Sequence, residues 1–164
     1  MISIRPAAPH ETALILSFIR DLAVYERLEH AVVATEADLK RTLFGPEAVA
    51  HALFACIEGE AVGFAIYFFN YSTFLGRAGL YLEDLFVRPA ARNRGVGRFL
   101  LAHLAQVAVE RGCGRLEWSV LDWNEPAIRF YRSLDAVPAE DWTTYRLTGD
   151  ALARLAKCSP RQPA

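Results

Sequence analysis

An arginine- and glycine-rich turn stands between a predicted strand and a predicted helix, and it constrains the fold more than any other segment. It reads Arg92-Asn93-Arg94-Gly95-Val96-Gly97-Arg98 and follows the apolar run Leu85-Phe86-Val87. Glycines let successive backbone N–H groups converge on one ligand, and the start of a helix adds partial positive charge. Three arginines suit a pyrophosphate better than a single carboxylate. The pattern predicts a phosphate-binding strand–turn–helix unit, although a turn with solvated arginines would carry the same letters.

Two other kinds of phosphate loop do not fit these letters. A dinucleotide-binding turn needs a third glycine at the position of Leu100, and a Walker loop needs Gly-Lys followed by Ser or Thr. The phosphate ligand of this turn is therefore neither a dinucleotide in a Rossmann unit nor a nucleotide in a P-loop.

Hydrophobic periodicity predicts a mixed α/β chain with helices around one sheet. Strands are predicted over 2–6, 52–58, 61–69, 79–87, 116–121 and 143–148, and helices over 10–26, 36–44, 97–111 and 126–134. Gly59-Glu60 reads as a hairpin turn, and the link 70–78 as a loop, so the middle strands should form an antiparallel meander. With 164 residues, one domain is expected over 1–157, followed by a disordered tail over 158–164.

Composition and charge exclude several function classes. A net charge of −1 gives no field that would gather nucleic acid or an anionic membrane. The longest apolar run is far shorter than the roughly 20 residues that a membrane helix needs. Three cysteines and four histidines show no metal-ligand spacing, and the first residues carry no signal-peptide pattern. We therefore expect a cytoplasmic protein without a metal, a nucleic-acid partner or a membrane association.

A second segment, about 30 residues downstream, indicates to which kind of protein the turn belongs. It reads Asp122-Trp123-Asn124-Glu125-Pro126-Ala127-Ile128-Arg129-Phe130-Tyr131. With Arg92-x-x-Gly95-x-Gly97 it resembles the GNAT superfamily of N-acetyltransferases. Tyr81 to Val87, Trp123 to Pro126 and Tyr25-Glu26 are similar to the spermidine/spermine (diamine) N-acetyltransferase branch. The resemblance implies an α/β GNAT fold, with a mixed, mostly antiparallel sheet that splays into a V between the 83–87 and 116–121 strands.

The resemblance also implies acetyl-CoA as cosubstrate and a set of residues that hold it. The backbone of the strand should bind the pantetheine arm and the oxyanion, the turn should bind the pyrophosphate, and the second segment should form the far wall. These residues are Leu85, Phe86, Val87, Arg92, Asn93, Arg94, Gly95, Val96, Gly97, Arg98, Asn124, Pro126, Ala127 and Tyr131.

Acetylation of an amine needs a base, an oxyanion site and a proton donor for the thiolate. By resemblance Glu83 is assigned as the base, acting through water, with Asp84 as its alternative, and Tyr131 as the acid. A phenol of pKa about 10 is close enough to a thiol of about 8.5 to share a proton. The structural alternative for Glu83 is a strand-end carboxylate paired with a nearby arginine. The structural alternative for Tyr131 is an aromatic side chain packed on an amphipathic helix. Because no cysteine lies in the motifs, the transfer should be direct.

The acceptor should be a small cationic amine: a diamine, a polyamine or a lysine-like amine. Its residues by resemblance are Tyr25, Glu26, Glu83, Glu140 and Trp142. Two departures are visible: Glu29-His30 stands where the polyamine enzymes tend to have paired acids, which weakens spermidine as substrate, and Asp135 replaces a glycine, which Asp tolerates in a left-handed conformation.

Three further points follow from the same reading. A homodimer is expected, with Trp142 and Tyr145 either at its interface or packed in the core. A non-catalytic acyl-CoA-binding regulatory module and a protein or peptide N-acetyltransferase are the alternative functions.

Overall fold

The computed structural model describes residues 1–159. Met1–Ser119 forms one compact unit, and the described chain from Val120 onward forms a second. The single domain over 1–157 stays a prediction. Of the predicted tail, residues 160–164 lie outside the described residues.

The first unit is a five-stranded mixed sheet with three helices. Its strands are β1 (Ile2–Pro6), β2 (His51–Ile57), β3 (Glu60–Ser72), β4 (Arg77–Val87) and β5 (Leu116–Trp118), and its helices are α1 (Thr12–Glu26), α2 (Glu36–Phe44) and α3 (Val96–Glu110). The spatial order follows the chain, β1 to β5. The first three pairings are antiparallel, and β5 joins β4 in parallel. The predicted meander and mixed sheet are confirmed.

The main core lies between the sheet and α1. Phe18 of α1 is fully buried, with ring centroids 5.7 Å from Phe54 and 5.3 Å from Phe64. Phe86 of β4 belongs to the same cluster. Each such ring contributes about 1.5–3 kcal/mol on burial. α1 is thereby fixed against the middle strands, and its last turn lies beside β4.

The predicted start of α2 is confirmed in detail. Thr35 accepts a hydrogen bond from the Asp38 backbone N–H at 3.2 Å, and the Asp38 carboxylate accepts one from the Thr35 N–H at 3.1 Å. This reciprocal pair satisfies two N–H groups that a helix start leaves without partners. The helix ends at Phe44, as Gly45-Pro46 predicts.

Three predicted boundaries are wrong in detail. The hairpin turn is Glu58-Gly59, both with positive φ (51° and 86°), because Glu60 pairs with Ile57. The predicted loop 70–78 shrinks to 73–76, since the β3–β4 ladder continues to Ser72 and Arg77. β5 ends at Trp118 rather than at 121, and the last β4 residue that it pairs with is Leu82, immediately before an irregularity in β4.

The second unit contains α4 (Glu125–Arg132) and α5 (Gly149–Ala156). The strand predicted over 143–148 is wrong: this segment is irregular. Its larger apolar side chains, Tyr145 and Leu147, are exposed, so the alternation creates no face to bury, and a strand needs both a partner and a buried face. Leu152 and Leu155, spaced by three after Thr148, are the signal that could have predicted α5.

Candidate active site

A one-residue bulge in β4 sets the geometry of the site. Ile66 and Tyr67 are neighbours in β3, yet they pair with Asp84 and Leu82 respectively, so Glu83 is an extra residue in the ladder. A bulge of this kind bends its strand and re-aims the side chains that follow. It also coincides with the end of the β5 pairing.

The bulge moves Asp84 to the α1 side of the sheet. Residues paired directly across an antiparallel ladder share a face. Asp84 therefore shares the face of Ile66, which belongs with Phe86 to the core under α1. In a regular strand, Leu82 and Asp84 would share one face; the extra residue separates them.

Asp84 is the ionisable group that this placement perturbs. Burial, together with the negative charges of Glu83 and Glu26, raises the pKa of its carboxyl from 3.8 to about 6. Its side chain is half-buried, whereas Glu83 is exposed. A carboxyl with a pKa near 6 is mostly ionised at neutral pH and is a stronger base than an ordinary aspartate, as general-base catalysis requires.

The last turn of α1 brings two predicted acceptor residues to the same place. The Tyr25 ring lies 6.2 Å from the Phe86 ring. Burial raises the pKa of the Glu26 carboxyl, and its charge acts on Asp84. The structure thus brings together Tyr25, Glu26, Glu83 and Asp84 at one end of α1, where carboxylates can attract an ammonium group.

Past the bulge, β4 presents backbone N–H groups along an edge that β5 does not cover. The Arg88 N–H donates to the Val62 carbonyl of β3 at 2.9 Å. Since alternate residues of a strand direct their N–H groups to opposite neighbours, those of Leu85 and Val87 point away from β3, toward the β5 side. Phe86 directs its N–H to β3. These two N–H groups are the ones suited to an oxyanion or an added strand.

The turn after β4 has the backbone of an anion site. Asn93 and Gly95 have φ of 60° and 82°, and Gly95 caps α3. The first backbone bond of the helix runs from the Phe99 N–H to the Gly95 carbonyl at 3.0 Å, so the N–H groups of Val96, Gly97 and Arg98 precede it. The side chains of Arg94 and Arg98 are exposed beside them. This donor set suits the phosphate groups of a ligand.

Arg92, by contrast, is half-buried and turned toward α1. Its Nε donates to the Val87 carbonyl at 2.9 Å, and its guanidinium carbon lies 4.8 Å from the centre of the Tyr25 ring and 5.3 Å from that of Phe86. Sequence reasoning grouped this side chain with the phosphate ligands and missed these contacts.

A cavity of about 440 Å³ lies near the turn, beside the β2–β3 hairpin. Its charged lining residues are Glu58, Glu60, Arg88 and Arg94. The two carboxylates make it a poor site for a pyrophosphate, and none of the acidic residues around Asp84 lines it.

In the second unit, Asn124 is buried and begins α4, where its side chain accepts from the Ala127 N–H at 3.4 Å. Tyr131 is half-buried on α4, with its ring 5.5 Å from that of Phe130. Asp135 has φ of 61°, which confirms the expected left-handed conformation. Glu140 and Trp142 are exposed in the irregular segment between α4 and α5.

Residues 1–159 contain no group of three or more His, Cys, Asp or Glu side chains placed to hold a metal ion. None of their helices combines the length and the apolar character needed to span a membrane.

Comparison with known proteins identifies a family and several relatives. The acetyltransferase (GNAT) family matches residues 16–135. The thialysine N-epsilon-acetyltransferase of Bos taurus is 39% identical, over 94% of this chain and 97% of its own. The L-ornithine N5-acetyltransferase NATA1 of Arabidopsis thaliana is 34% identical over 94% and 87%. The human spermidine/spermine N(1)-acetyltransferase-like protein 1 is 33% identical over 93% of this chain and 23% of its own.

A solved structure agrees with these relatives. An integron cassette protein from the mobile metagenome of V. cholerae superposes with a TM-score of 0.79 at 31% identity, over 95% of this chain and 98% of that one.

Proposed function

This chain belongs to the GNAT family of acetyltransferases and is an N-acetyltransferase of small amines; on that premise we propose that it moves the acetyl group of acetyl-CoA directly to the terminal amine of a lysine- or ornithine-like amino acid. The observation that carries this proposal is the half-buried Asp84 carboxyl, held beside Glu26 on the α1 side of the sheet with a pKa of about 6.

Asp84 is proposed as the base and Glu83 as the exposed charge that attracts the ammonium group. The sequence resemblance instead assigns Glu83 as the base, with Asp84 as its alternative. The raised pKa and burial of Asp84 support the exchange, because an exposed carboxylate is a weaker base. Asp84 accepts a proton from the ammonium group, directly or through one water. The amine nitrogen then forms the C–N bond at the thioester carbonyl, whose oxygen takes up the negative charge. When this oxyanion collapses, the C–S bond breaks, the thiolate takes up a proton, and the nitrogen loses its second proton to water.

The oxyanion is proposed to accept hydrogen bonds from the N–H groups of Leu85 and Val87. Both lie on the edge of β4 that β5 leaves uncovered, where a rigid backbone donor needs no reorganisation as charge develops. Phe86 holds this part of β4 in place by packing in the core under α1. The phosphates are proposed to bind the turn from Asn93 to Arg98, whose positive φ angles and helix start supply convergent N–H groups.

Tyr131 is proposed to donate the proton that the departing thiolate takes up. Its place in the Asn…Phe-Tyr segment and its half-buried position on α4 support this role. Asn124, Pro126 and Ala127 are proposed for the same cosubstrate, with Asn124 also fixing the start of α4.

The acceptor is proposed to lie against Tyr25, Glu26 and Glu83, with Glu140 and Trp142 as further contacts. Relatives named for thialysine and ornithine support an amino-acid acceptor. Glu29-His30, in place of paired acids, supports it over a long polyamine.

The test is an acetyl-CoA consumption assay with thialysine, lysine, ornithine, putrescine and spermidine, with thialysine and ornithine expected to give the highest kcat/KM. The acetylated nitrogen is identified by mass spectrometry. Higher kcat/KM for spermidine than for any amino acid would overturn the acceptor class. Tight acetyl-CoA binding without acetylation of any amine would favour a regulatory module, and acetylation of peptides alone would favour a protein acetyltransferase.

A homodimer and a cytoplasmic location stay predictions. Trp142 and Tyr145, 77% and 93% exposed, support a dimer interface in the second unit. Light scattering coupled to size exclusion, with Trp142→Ala as the variant, tests it: a monomeric wild-type protein would overturn the dimer.

A further inference from the structure

Two arginines that follow β4 both turn back onto α1. Arg88 donates from Nε to Asp21 at 3.0 Å and from Nη2 to the Ser17 hydroxyl at 3.1 Å, and its guanidinium carbon lies 4.1 Å from the Phe18 ring centre. Arg92 makes the corresponding contact about two turns further along α1, where it stacks on Tyr25. The two side chains fix α1 against the end of β4 at its middle and at its last turn.

Arg92 differs in its contacts from the other arginines of the turn. Arg94 and Arg98 are exposed to water, while Arg92 is held by the Val87 carbonyl and by two aromatic rings. A cation over an aromatic ring is worth about 0.5–2 kcal/mol, and a hydrogen bond about 1 kcal/mol. Recruiting Arg92 to a phosphate would give up these contacts, whereas Arg94 and Arg98 would give up only hydration.

The residue that Arg92 holds is adjacent to the acidic group of the site. Tyr25 directly precedes Glu26, whose charge acts on Asp84. α1 ends at Glu26, and Arg27 follows with a left-handed φ of 61°. The Leu28 and Arg27 N–H groups cap this last turn on the Ala23 and Val24 carbonyls, at 2.8 and 3.2 Å. The cap holds the turn within the helix, and the stack of Arg92 on Tyr25 holds the same turn, which carries Glu26, against the end of β4.

We propose that Arg92 is a positioning residue of the acceptor side: its side chain stacks on Tyr25 and keeps Glu26 beside Asp84, while the phosphates of acetyl-CoA are bound by Arg94, Arg98 and the turn backbone. This inference rests on the proposed function, because it assumes that the amine binds at the end of α1. As a consequence, two arginines of one turn have different roles: Arg92 acts on binding of the amine, and Arg94 acts on binding of the cosubstrate.

The experiment compares Arg92→Met with two matched variants, Arg94→Met and Arg88→Met. All three remove one guanidinium and keep an unbranched side chain. The readouts are KM for the amine, Kd for acetyl-CoA by calorimetry, and Tm. Arg92→Met should raise the amine KM at least 10-fold and leave the acetyl-CoA Kd within 3-fold of wild type. Arg94→Met should show the reverse. Arg88→Met should lower Tm, with KM and Kd both within 3-fold.

Arg92→Lys supplies the conservative variant. Its ammonium can still lie over the Tyr25 ring, but it lacks the planar fork that reaches the Val87 carbonyl as well. It should restore the amine KM to between the Arg92→Met and wild-type values, an effect that a general loss of stability would not produce.

Two results would overturn the proposal. The first is an acetyl-CoA Kd that rises in Arg92→Met as much as in Arg94→Met, with an unchanged amine KM, because Arg92 would then be a phosphate ligand. The second is an amine KM that rises equally in Arg88→Met and Arg92→Met, because the effect would then be a general loosening of α1. Failure of the proposed function is distinct from both: the wild-type protein would acetylate no amine.

Discussion

Replacing Asp84 by Asn tests the proposed base through stability as well as through activity. The pKa of about 6 against an ordinary 3.8 means that the fold disfavours the ionised carboxyl by about 3 kcal/mol. Below about pH 4 the carboxyl is protonated in both folded and unfolded chains, so no cost arises. Between pH 4 and 6 the unfolded chain loses the proton first, and stability falls. Above pH 6 the full cost is present.

Asn carries no charge at any of these pH values and removes the cost. We therefore expect Asp84→Asn to stabilise the protein by about 2–3 kcal/mol at pH 8 and to have little effect at pH 4. At about 2–4 °C per kcal/mol for a chain of this size, the Tm difference at pH 8 is about 5–10 °C. The same variant should lower kcat/KM for the amine about 100-fold, the lower end of the range for a lost general base.

The assay is thermal unfolding of both proteins by circular dichroism at pH 4 and pH 8, with kcat/KM measured across pH 5 to 8. The wild-type kcat/KM should rise with an apparent pKa of about 6, and this limb should vanish in the variant. Asp141→Asn, a change at an exposed carboxylate, is the control and should show no pH-dependent difference in Tm. Equal Tm differences at both pH values would refute the burial argument, and retained activity would refute Asp84 as the base.

Three further outcomes are expected. Tyr131→Phe should lower kcat at least 10-fold with little change in the acetyl-CoA Kd measured by calorimetry, and an unchanged kcat would remove Tyr131 as the acid. Gly95→Ala should cost about 1–2 kcal/mol in chemical denaturation because φ is 82°, and it should weaken acetyl-CoA binding; equal stability would show that the turn adapts. Thr35→Ala should cost about 1 kcal/mol without any change in kcat/KM, since it removes only the cap of α2.

Elements whose ends are marked by capping residues or glycines were predictable from the sequence. Elements that depend on pairing with a distant strand were not. Thr35, Gly45 and Gly112 mark helix ends by local chemistry, and the structure follows them. The segment 143–148 has strand-like alternation, but alternation cannot supply a partner strand. The proposed phosphate-binding turn was visible in the sequence because its backbone demands glycine at a positive φ.

For the proposed site, the sequence predicts a set of residues but not their arrangement. Glu83 and Asp84 are equivalent letters in a strand, and their different environments come from a bulge that the β3 pairing creates. Likewise the motif singles out Arg92 but does not show where its side chain lies; the packing of Tyr25 on Phe86 provides the surface on which that side chain stacks.

Removing Glu83 from the chain would separate the role of the bulge from that of the carboxylate. Without the extra residue, Leu82 and Asp84 become neighbours in a regular strand and keep their present opposite faces. The β3–β4 ladder should therefore survive, with a Tm within about 5 °C of wild type. The bend in β4, which accompanies the end of the β5 pairing, would be lost. The Leu85 and Val87 N–H groups would then point in a different direction at this edge.

The expected result is a loss of kcat of at least 100-fold in the deletion variant, since a lost backbone oxyanion donor costs about 10²–10³-fold. Glu83→Ala keeps the bulge and should raise only the amine KM, several-fold. A deletion variant that folds and matches Glu83→Ala in both constants would show that the carboxylate matters and the bulge does not.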